Sequence, residues 1–174
     1  MKVSKPILFI FSGLPASGKS TLAKLLAKER DAVYLRIDTV EQGLLDVCGL
    51  DVQGEGYRLS YLIAGDNLKL KRNVVADSCN PILLTRMEWQ EVAVANGSVY
   101  INIEVICSDE REHKKRAETR QPEVERLKLP TWEEVRNREY HSWESGRIVI
   151  DTANKSVEAS FQELIKKIDK HEIH

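Results

Sequence analysis

A segment rich in glycine and small residues follows a short apolar run near the start of this chain. Residues 13–20 read GLPASGKS and match the pattern G-x-x-x-x-G-K-[ST] at every fixed position. The apolar run at 7–11 is typical of a strand buried on both faces, and residues 19–29 have the apolar spacing of an amphipathic helix. A buried strand, a glycine turn and a helix in this order predict a loop that wraps phosphate groups.

The fixed residues of this loop have separate tasks in binding a nucleotide. Its glycines let backbone N–H groups converge on phosphate oxygens, Lys19 would neutralise the β- and γ-phosphates, and the Ser20 hydroxyl would bind Mg²⁺. A tight glycine turn without a ligand is the alternative, but it leaves the Lys-Ser pair unexplained. We therefore predict ATP and Mg²⁺ as cofactors. The predicted nucleotide contacts of this segment are Gly13, Pro15, Ala16, Ser17, Gly18, Lys19, Ser20 and Thr21.

Apolar segments continue to alternate with amphipathic ones along the rest of the chain. The predicted strands are 7–11, 32–37, 73–76, 98–107 and 147–151. The predicted helices are 19–29, 39–47, 57–71, 85–95, 109–120, a short one after Thr131, and 156–170. This alternation predicts an α/β fold, with a five-stranded parallel sheet and helices on both faces, in one domain that spans residues 1–174.

Composition excludes several classes of protein. The 174 residues contain 26 Lys and Arg and 27 Asp and Glu, a formal net charge of -1, so the chain lacks the basic field of a non-specific nucleic-acid binder. No apolar stretch approaches the ~18 residues of a membrane span, so we expect no membrane partner. The widely spaced Cys48, Cys79 and Cys107 are typical of reduced thiols and predict a cytoplasmic protein.

Residues outside the loop indicate which class of phosphate-binding protein this is. A GTPase switch needs the base-reading pattern N-K-x-D, and residues 154–157 read NKSV, without the acid. Asp38 follows the second predicted strand, and ligands bind at the carboxyl ends of parallel strands. Its carboxylate could accept the proton of an attacking hydroxyl, as in a kinase, or it could cap the following helix. The residues alone favour neither alternative for Asp38.

A second acid, Asp77, ends the third predicted strand after an apolar run, which is typical of a residue that holds Mg²⁺. Ser78 and Asn80 follow it into the same crevice, although these residue types are also ordinary in a turn before Pro81. We predict Ser20 and Asp77 as the magnesium ligands.

Two arginines one helical turn apart, Arg116 and Arg120, precede a proline-containing loop at 121–130. Guanidinium groups suit phosphoryl oxygens, and a closing loop would exclude water. We therefore predict two catalytic arginines on a lid that spans 116–131. A solvated helix face is the alternative, because charges of both signs crowd residues 110–126.

Together these features resemble small bacterial P-loop kinases related to the 5′-kinase domain of polynucleotide kinase and, more distantly, to adenylylsulfate and gluconate kinases. The resemblance extends from residue 7 to about residue 168. It implies the P-loop nucleoside triphosphate hydrolase fold of the nucleoside-monophosphate-kinase type, with a lid. It also implies that Asp38 is the base that activates the acceptor and that Ser78 contacts the acceptor. In such kinases the loop after the last strand lies near adenine, which implicates Thr152.

One position departs from the pattern of polynucleotide kinase. That enzyme has an arginine three residues after its catalytic aspartate to grip the acceptor phosphate, whereas this chain has Glu41. The loss of this cation disfavours a nucleic-acid 5′ end and favours a small-molecule acceptor.

The segment 39–72 is long enough for two helices that would cover the acceptor. Within it Tyr57 could contact the acceptor, although a tyrosine at helical spacing more often packs in a core. Arg36 could bind an acceptor anion or could simply pair with Asp38. The predicted acceptor contacts are Arg36, Asp38, Tyr57, Ser78 and Asn80.

The sequence thus predicts an ATP-dependent kinase that transfers the γ-phosphoryl group to a hydroxyl of a small molecule. The predicted catalytic residues are Lys19, Asp38, Arg116 and Arg120. The alternatives are a polynucleotide or oligonucleotide 5′-hydroxyl kinase, a toxin-like kinase that acts on a nucleotide sugar, and a non-enzymatic ATP-dependent switch.

Overall fold

The strands form one parallel sheet. The structure, a computed structural model, describes residues 5–143 and 146–172. In this part of the chain the strands are β1 (Ile7–Ser12), β2 (Val33–Arg36), β3 (Val74–Asp77), β4 (Val99–Ile106) and β5 (Ile148–Asp151). Their order across the sheet is β2-β3-β1-β4-β5, and every neighbouring pair is parallel. The predicted five-stranded parallel sheet is confirmed.

Helices cover both faces of this sheet. In the same described ranges they are α1 (Lys19–Glu29), α2 (Ile37–Cys48), α3 (Glu55–Lys69), α4 (Leu83–Ala95), α5 (Glu110–Thr119), α6 (Trp132–Arg136) and α7 (Val157–Glu172). Residues of α1 and α7 share a core cluster on one face, and residues of α3 and α4 share another on the opposite face. Among the described residues, no helix has the length and apolar character needed to span a lipid bilayer. The α/β fold class is therefore confirmed.

Two boundaries differ from the prediction near the candidate site. β2 ends at Arg36 and α2 begins at Ile37, so Asp38 lies in the first turn of a helix and not at the end of a strand. The N-cap of α2 is Arg36, without a side-chain capping hydrogen bond, so the alternative in which Asp38 caps this helix is wrong. Farther along the chain, α5 ends at Thr119, and Arg120 follows the helix as its C-cap.

β1 is the central strand because both of its faces carry large apolar side chains. Phe9 and Phe11 belong to the cluster with α1 and α7, whereas Leu8 and Ile10 belong to the cluster with α3 and α4. All four side chains are fully buried. Burial contributes about 1.5–3 kcal/mol for each such side chain, so β1 holds the sheet between two helical layers.

The helices change face at the carboxyl end of β1. The helix after β1 packs on one face, and the helix after the neighbouring β3 packs on the opposite face. Such a change leaves a crevice where doubly wound sheets bind ligands. The Gly13 N–H donates to the Cys79 carbonyl oxygen at 3.1 Å and links the two strand ends. The glycine-containing loop therefore begins at this crevice.

Gly13 allows the loop to approach β4 closely. Its φ of +141° is rarely adopted by residues with a side chain, and a Cβ atom there would lie 2.2 Å from the Val105 carbonyl oxygen. That oxygen belongs to a sheet backbone, which cannot move aside without breaking strand pairing. A larger residue at position 13 would therefore displace the loop.

We expect Gly13→Ala to lower the free energy of unfolding by about 2 kcal/mol or more, because strain and the close contact with Val105 add. The control is Gly43→Ala in α2, where an added Cβ would meet no atom within 4 Å. Alanine in a helix is expected there to be neutral or to stabilise by up to about 1 kcal/mol. Urea denaturation followed by circular dichroism measures both, and equal effects would contradict the argument.

Candidate active site

Residues 13–18 form a loop that connects β1 to α1. Ala16 and Gly18 have positive φ values of 66° and 95°. Gly18 is the N-cap of α1, and no side chain caps this helix end. The first N–H groups of α1 thus have no side-chain acceptor, and the helix dipole places partial positive charge beside them. This end of the loop is suited to bind an anion such as a phosphate.

Side chains from α5 and from the loop after β5 support this loop. His113 Nε2 lies 2.8 Å from the Pro15 carbonyl oxygen, and the Thr152 hydroxyl donates to the Ser17 carbonyl oxygen at 2.8 Å. Arg116 donates to the Thr152 hydroxyl oxygen at 2.7 Å and to the Thr152 carbonyl oxygen at 3.0 Å. The structure therefore joins two predicted nucleotide contacts, Arg116 and Thr152, to the loop.

A buried ion pair lies at the end of the loop. Lys19 Nζ is 3.0 Å from Asp77 Oδ1, and the Tyr34 hydroxyl donates to Asp77 Oδ2 at 2.6 Å. Burial alone would lower the pKa of Lys19, but the charges of Asp77 and Asp38 raise it. Burial alone would raise the pKa of Asp77, but the Lys19 charge and hydrogen bonds from Tyr34 and Ser20 hold it below its ordinary value. Both members of the pair are therefore charged.

The predicted magnesium ligands, Ser20 and Asp77, lie side by side, because the Ser20 hydroxyl hydrogen-bonds to Asp77. Hydroxyl and carboxylate oxygens are ligands that Mg²⁺ prefers. Among the described residues, no group of three or more His, Cys, Asp or Glu side chains could hold a metal ion. The two residues fit an ion that is bound mainly by phosphate oxygens and water, which is the usual mode for Mg²⁺.

Asp38 faces this ion pair from the first turn of α2, and its side chain is 47% exposed. Arg36 Nε lies 3.6 Å from Asp38 Oδ2, and Arg36 Nη1 donates to Glu123 at 2.8 Å. Glu123 also accepts from Lys24 Nζ at 2.7 Å. Arg36 thus lies in ion pairs with carboxylates of the chain itself, as in the alternative that it pairs with Asp38, but its buried Nε atom has no hydrogen-bond partner among the described residues. These contacts also join the segment 121–130 to α1 and to the end of β2.

Arg120 lies at the start of the segment 121–130. Its Nε atom is buried and donates to none of the described residues. Burial lowers the pKa of Arg120, Asp38 opposes this effect, and the charges of Arg36 and Arg138 add to it. A phosphoryl oxygen would give the Nε donor a partner and would offset the repulsion among these cations.

A cleft with a volume of ≈ 390 Å³ lies between the loop, α2 and the segment 121–130. Its lining brings together all four predicted catalytic residues, Lys19, Asp38, Arg116 and Arg120. Within the part of the chain that the structure describes, no aromatic side chain lines it. The cleft therefore offers charged and polar contacts but no surface for stacking a base at the Asp38 end.

Three predicted acceptor contacts, Tyr57, Ser78 and Asn80, do not line this cleft. Asn80 Nδ2 donates to the Phe11 carbonyl oxygen at 2.8 Å, and the Asn80 backbone N–H donates to the Tyr57 hydroxyl at 3.4 Å. Ser78 is 2% exposed. Asn80 has a positive φ of 44°, and its contacts join the end of β3 to β1 and α3, whereas the buried Ser78 hydroxyl has no hydrogen-bond partner among the described residues. Their placement does not support the predicted contact with an acceptor.

Sequence reasoning missed two residues near the predicted base, Tyr34 and Arg138, and singled out Glu41 only as a departure from the pattern of polynucleotide kinase. Tyr34 could have been found, because alternate residues of a strand share a face and Arg36 is two positions away. Glu41 lines the cleft, as its spacing of three after Asp38 on a helix would place it. Arg138 also lines the cleft, but it follows α6 and carries no local sequence signal.

We expect Tyr34→Phe to destabilise the protein by about 1–3 kcal/mol, because the buried Asp77 carboxylate loses a hydrogen bond. Tyr100→Phe is the matched control, since Tyr100 is partly exposed on β4, and it is expected to change stability by less than about 0.5 kcal/mol. Urea denaturation of the two variants tests the difference. A Tyr34→Phe variant as stable as Tyr100→Phe would contradict this role.

Glu41 makes the stability of the protein depend on pH. Burial raises its pKa from 4.5 to about 7, the Asp38 charge adds to this, and Arg138 opposes it. Between these two pKa values, the Glu41 carboxyl group keeps its proton in the folded state but loses it in the unfolded state. The free energy of unfolding therefore falls as pH rises through this range.

The free energy of unfolding of the wild type, relative to Glu41→Gln, should therefore fall between pH 5 and pH 8. The contributions of the other titratable groups to the free energy of unfolding cancel in the difference between the two proteins. Asp46→Asn removes an exposed carboxylate from the same helix and is measured alongside as the control for the loss of a charge. Chemical denaturation at both pH values measures the change, and a difference independent of pH would refute it.

Comparisons with known proteins extend this description. No curated protein matches the chain. APS kinase CysC of Mycobacterium tuberculosis, in complex with AMPPNP and APS, is 16% identical with a TM-score of 0.70, over 96% of this chain and 99% of that one. A gluconokinase from Sinorhizobium meliloti 1021 is 13% identical with a TM-score of 0.68, over 97% and 94%. Chaetomium thermophilum Kti12, in complex with ADP-AlF3, is 21% identical with a TM-score of 0.69, over 94% and 97%.

These similarities confirm the predicted fold, that of the small P-loop kinases. At such identities they concern the fold alone. The family comparison is more specific than these structural similarities. The AAA domain family AAA_33 matches residues 8–139, and this range includes the loop, Asp38, Asp77 and both arginines of the predicted lid. The chain therefore belongs to the AAA domain family AAA_33.

Proposed function

We propose that this protein is an ATP-dependent kinase that transfers the γ-phosphoryl group to a hydroxyl of a small molecule. The observation that carries this proposal is the convergence of Lys19, Asp38 and Arg120 on one cleft. The first can hold a phosphate, the second can accept a proton, and the third has an unpaired donor. Structural neighbours whose names are gluconokinase and APS kinase support the same class of reaction.

Nucleotide binding would begin with the loop and Lys19. The N–H groups at the start of α1 would receive phosphate oxygens, and Lys19 would exchange its contact with Asp77 for one with the triphosphate. Asp77 would stay in place through Tyr34 and, with Ser20, would hold Mg²⁺. When bound, this ion would neutralise charge on the β- and γ-phosphates.

Phosphoryl transfer would then use the opposite end of the cleft. Asp38 would accept the proton of the acceptor hydroxyl while its oxygen bonds to the γ-phosphorus. The bond from that phosphorus to the oxygen bridging to ADP would break, and ADP would leave with the electron pair. Arg120 would donate to the transferred phosphoryl oxygens, and the segment 121–130 would exclude water from them.

Several features favour a small acceptor over a polynucleotide. The cleft is lined by no aromatic side chain among the described residues, whereas aromatic stacking commonly binds single-stranded nucleic acid. The net charge of -1 and the carboxylate of Glu41 beside Asp38 would both repel a phosphate backbone. An acid placed to accept a proton also favours an enzyme over a nucleotide-dependent switch.

We expect Asp38→Asn to reduce phosphoryl transfer by about 10²–10⁴-fold, because the proton acceptor is lost while its shape is kept. ATP affinity should stay within a few fold. The assay follows transfer of labelled γ-phosphate from ATP into a library of metabolites, with ATP binding measured separately. Lys19→Ala is the companion variant and should lose both binding and transfer. Unchanged transfer by Asp38→Asn would contradict its role as base.

A further inference from the structure

The guanidinium group of Arg36 lies near three carboxylates and, among the described residues, donates a hydrogen bond to only one of them. Its Nη1 donates to Glu123 at 2.8 Å. Its Nε lies 3.6 Å from Asp38 Oδ2 and 4.0 Å from Asp77 Oδ2, and both distances are too long for a hydrogen bond. Glu123 on the segment 121–130 therefore holds this guanidinium group beside the predicted base but not on it.

The buried Nε donor favours a shift of Arg36 toward Asp38. A buried donor without an acceptor costs free energy, and the Arg36 side chain is only 13% exposed. A shift of less than about 1 Å would bring Nε to hydrogen-bond distance from Asp38 Oδ2. Asp77 is less available, because its oxygens already accept from Lys19 and Tyr34. Asp38 is thus the partner that Arg36 would take without Glu123.

A direct hydrogen bond from Arg36 would make Asp38 a poorer base. A guanidinium group that donates to a carboxylate stabilises the charged form and lowers its affinity for a proton. The bond would also occupy an oxygen that an acceptor hydroxyl needs. In the structure Arg36 donates to Glu123 instead. This contact therefore leaves the Asp38 carboxylate available.

The position of Glu123 depends on the segment that carries it. The same Glu123 oxygen that accepts from Arg36 also accepts from Lys24 on α1. The hydrogen bond from Lys24, together with that from Arg36, holds the pKa of Glu123 below its ordinary value, so the carboxylate is charged. Glu123 and Lys24 are both about half exposed, and such ion pairs break and re-form readily. Displacement of the segment would take away the hydrogen-bonded carboxylate of Arg36.

We propose that Glu123 and Arg36 are positioning residues that couple the segment 121–130 to the state of the base. With the segment in place, Glu123 holds Arg36, and Asp38 is free to accept a proton. With the segment displaced, Arg36 pairs with Asp38, and phosphoryl transfer to the acceptor or to entering water is suppressed. This inference deepens the proposed kinase activity and rests on it, with Asp38 as the base.

The first test follows transfer of labelled γ-phosphate from saturating ATP into the metabolite library. We expect Glu123→Ala to lower the rate by about fivefold or more, because Arg36 then pairs with Asp38. ATP affinity should stay within about threefold, since neither residue belongs to the phosphate-binding loop. The matched control is Glu125→Ala, whose side chain lies on the same segment and is 91% exposed. Its rate should stay within about twofold of the wild type.

A second substitution separates this role from simple fastening of the segment. Arg36→Met removes the guanidinium group and keeps an apolar stem. Added to Glu123→Ala, it should raise the rate by about threefold or more, because no guanidinium group is left to pair with Asp38. Lys24→Met, added instead, should give no recovery, since Lys24 does not line the cleft. Urea denaturation checks that each variant folds, and Arg36→Gln replaces Arg36→Met if the latter does not.

Cleavage after Lys128 by endoproteinase Lys-C reports on the segment without any acceptor. Glu123→Ala should be cleaved there several times faster than the wild type and Glu125→Ala. Equal cleavage, a Glu123→Ala transfer rate like that of the wild type, or no recovery with the Arg36 substitution would overturn this inference and leave the kinase activity standing. Transfer to no metabolite by a wild-type protein that binds ATP would overturn the kinase proposal, and this inference with it.

Discussion

The buried ion pair between Lys19 and Asp77 is the interaction on which the rest of the site depends. It joins the first residue of α1 to the last residue of β3, and so fixes the loop against the carboxyl edge of the sheet. A buried pair is favourable only when its remaining atoms are also hydrogen-bonded. Tyr34 and Ser20 meet this requirement for Asp77. A triphosphate that replaces Asp77 as the partner of Lys19 therefore finds a carboxylate that is already held in place.

The segment 121–130 is held in place by weaker contacts than the loop that lines the same cleft. Glu123 joins it to Lys24 and Arg36, but the Glu123 side chain is 49% exposed. Ion pairs exposed to this degree contribute about 1 kcal/mol or less, so the contact can break and re-form as ligands enter and leave. The C-terminal end of this segment is held more strongly, because it leads into α6, where Thr131 and Glu134 form a capping box. If the segment 121–130 acts as the proposed lid, this difference would let it move from its Glu123 side.

The proposed nucleotide end and the proposed acceptor end of the cleft are formed by different kinds of chemical group. The nucleotide end consists largely of backbone, helix terminus and the supports of the loop, which the fold itself supplies. The acceptor end consists of single side chains such as Glu41 and Arg138, brought together from α2 and from the chain after α6. Proteins that share this fold are therefore expected to be more alike in how they bind phosphate than in which acceptor they bind. Gluconokinase and APS kinase resemble this chain in fold, and at identities of 13% and 16% the resemblance does not extend to the acceptor.

The sequence by itself determined the elements, the parallel sheet and the position of the loop, because hydrophobic periodicity and the G-x-x-x-x-G-K-[ST] spacing act over a few neighbouring residues. It also indicated Asp38 and Asp77 as acids near the loop. Only the tertiary structure decided that Asn80 donates to the β1 backbone, that Tyr34 holds Asp77, and that Arg138 and Glu41 line the same cleft. These contacts join residues far apart in the chain, and burial and charge at such contacts depend on how helices pack on the sheet.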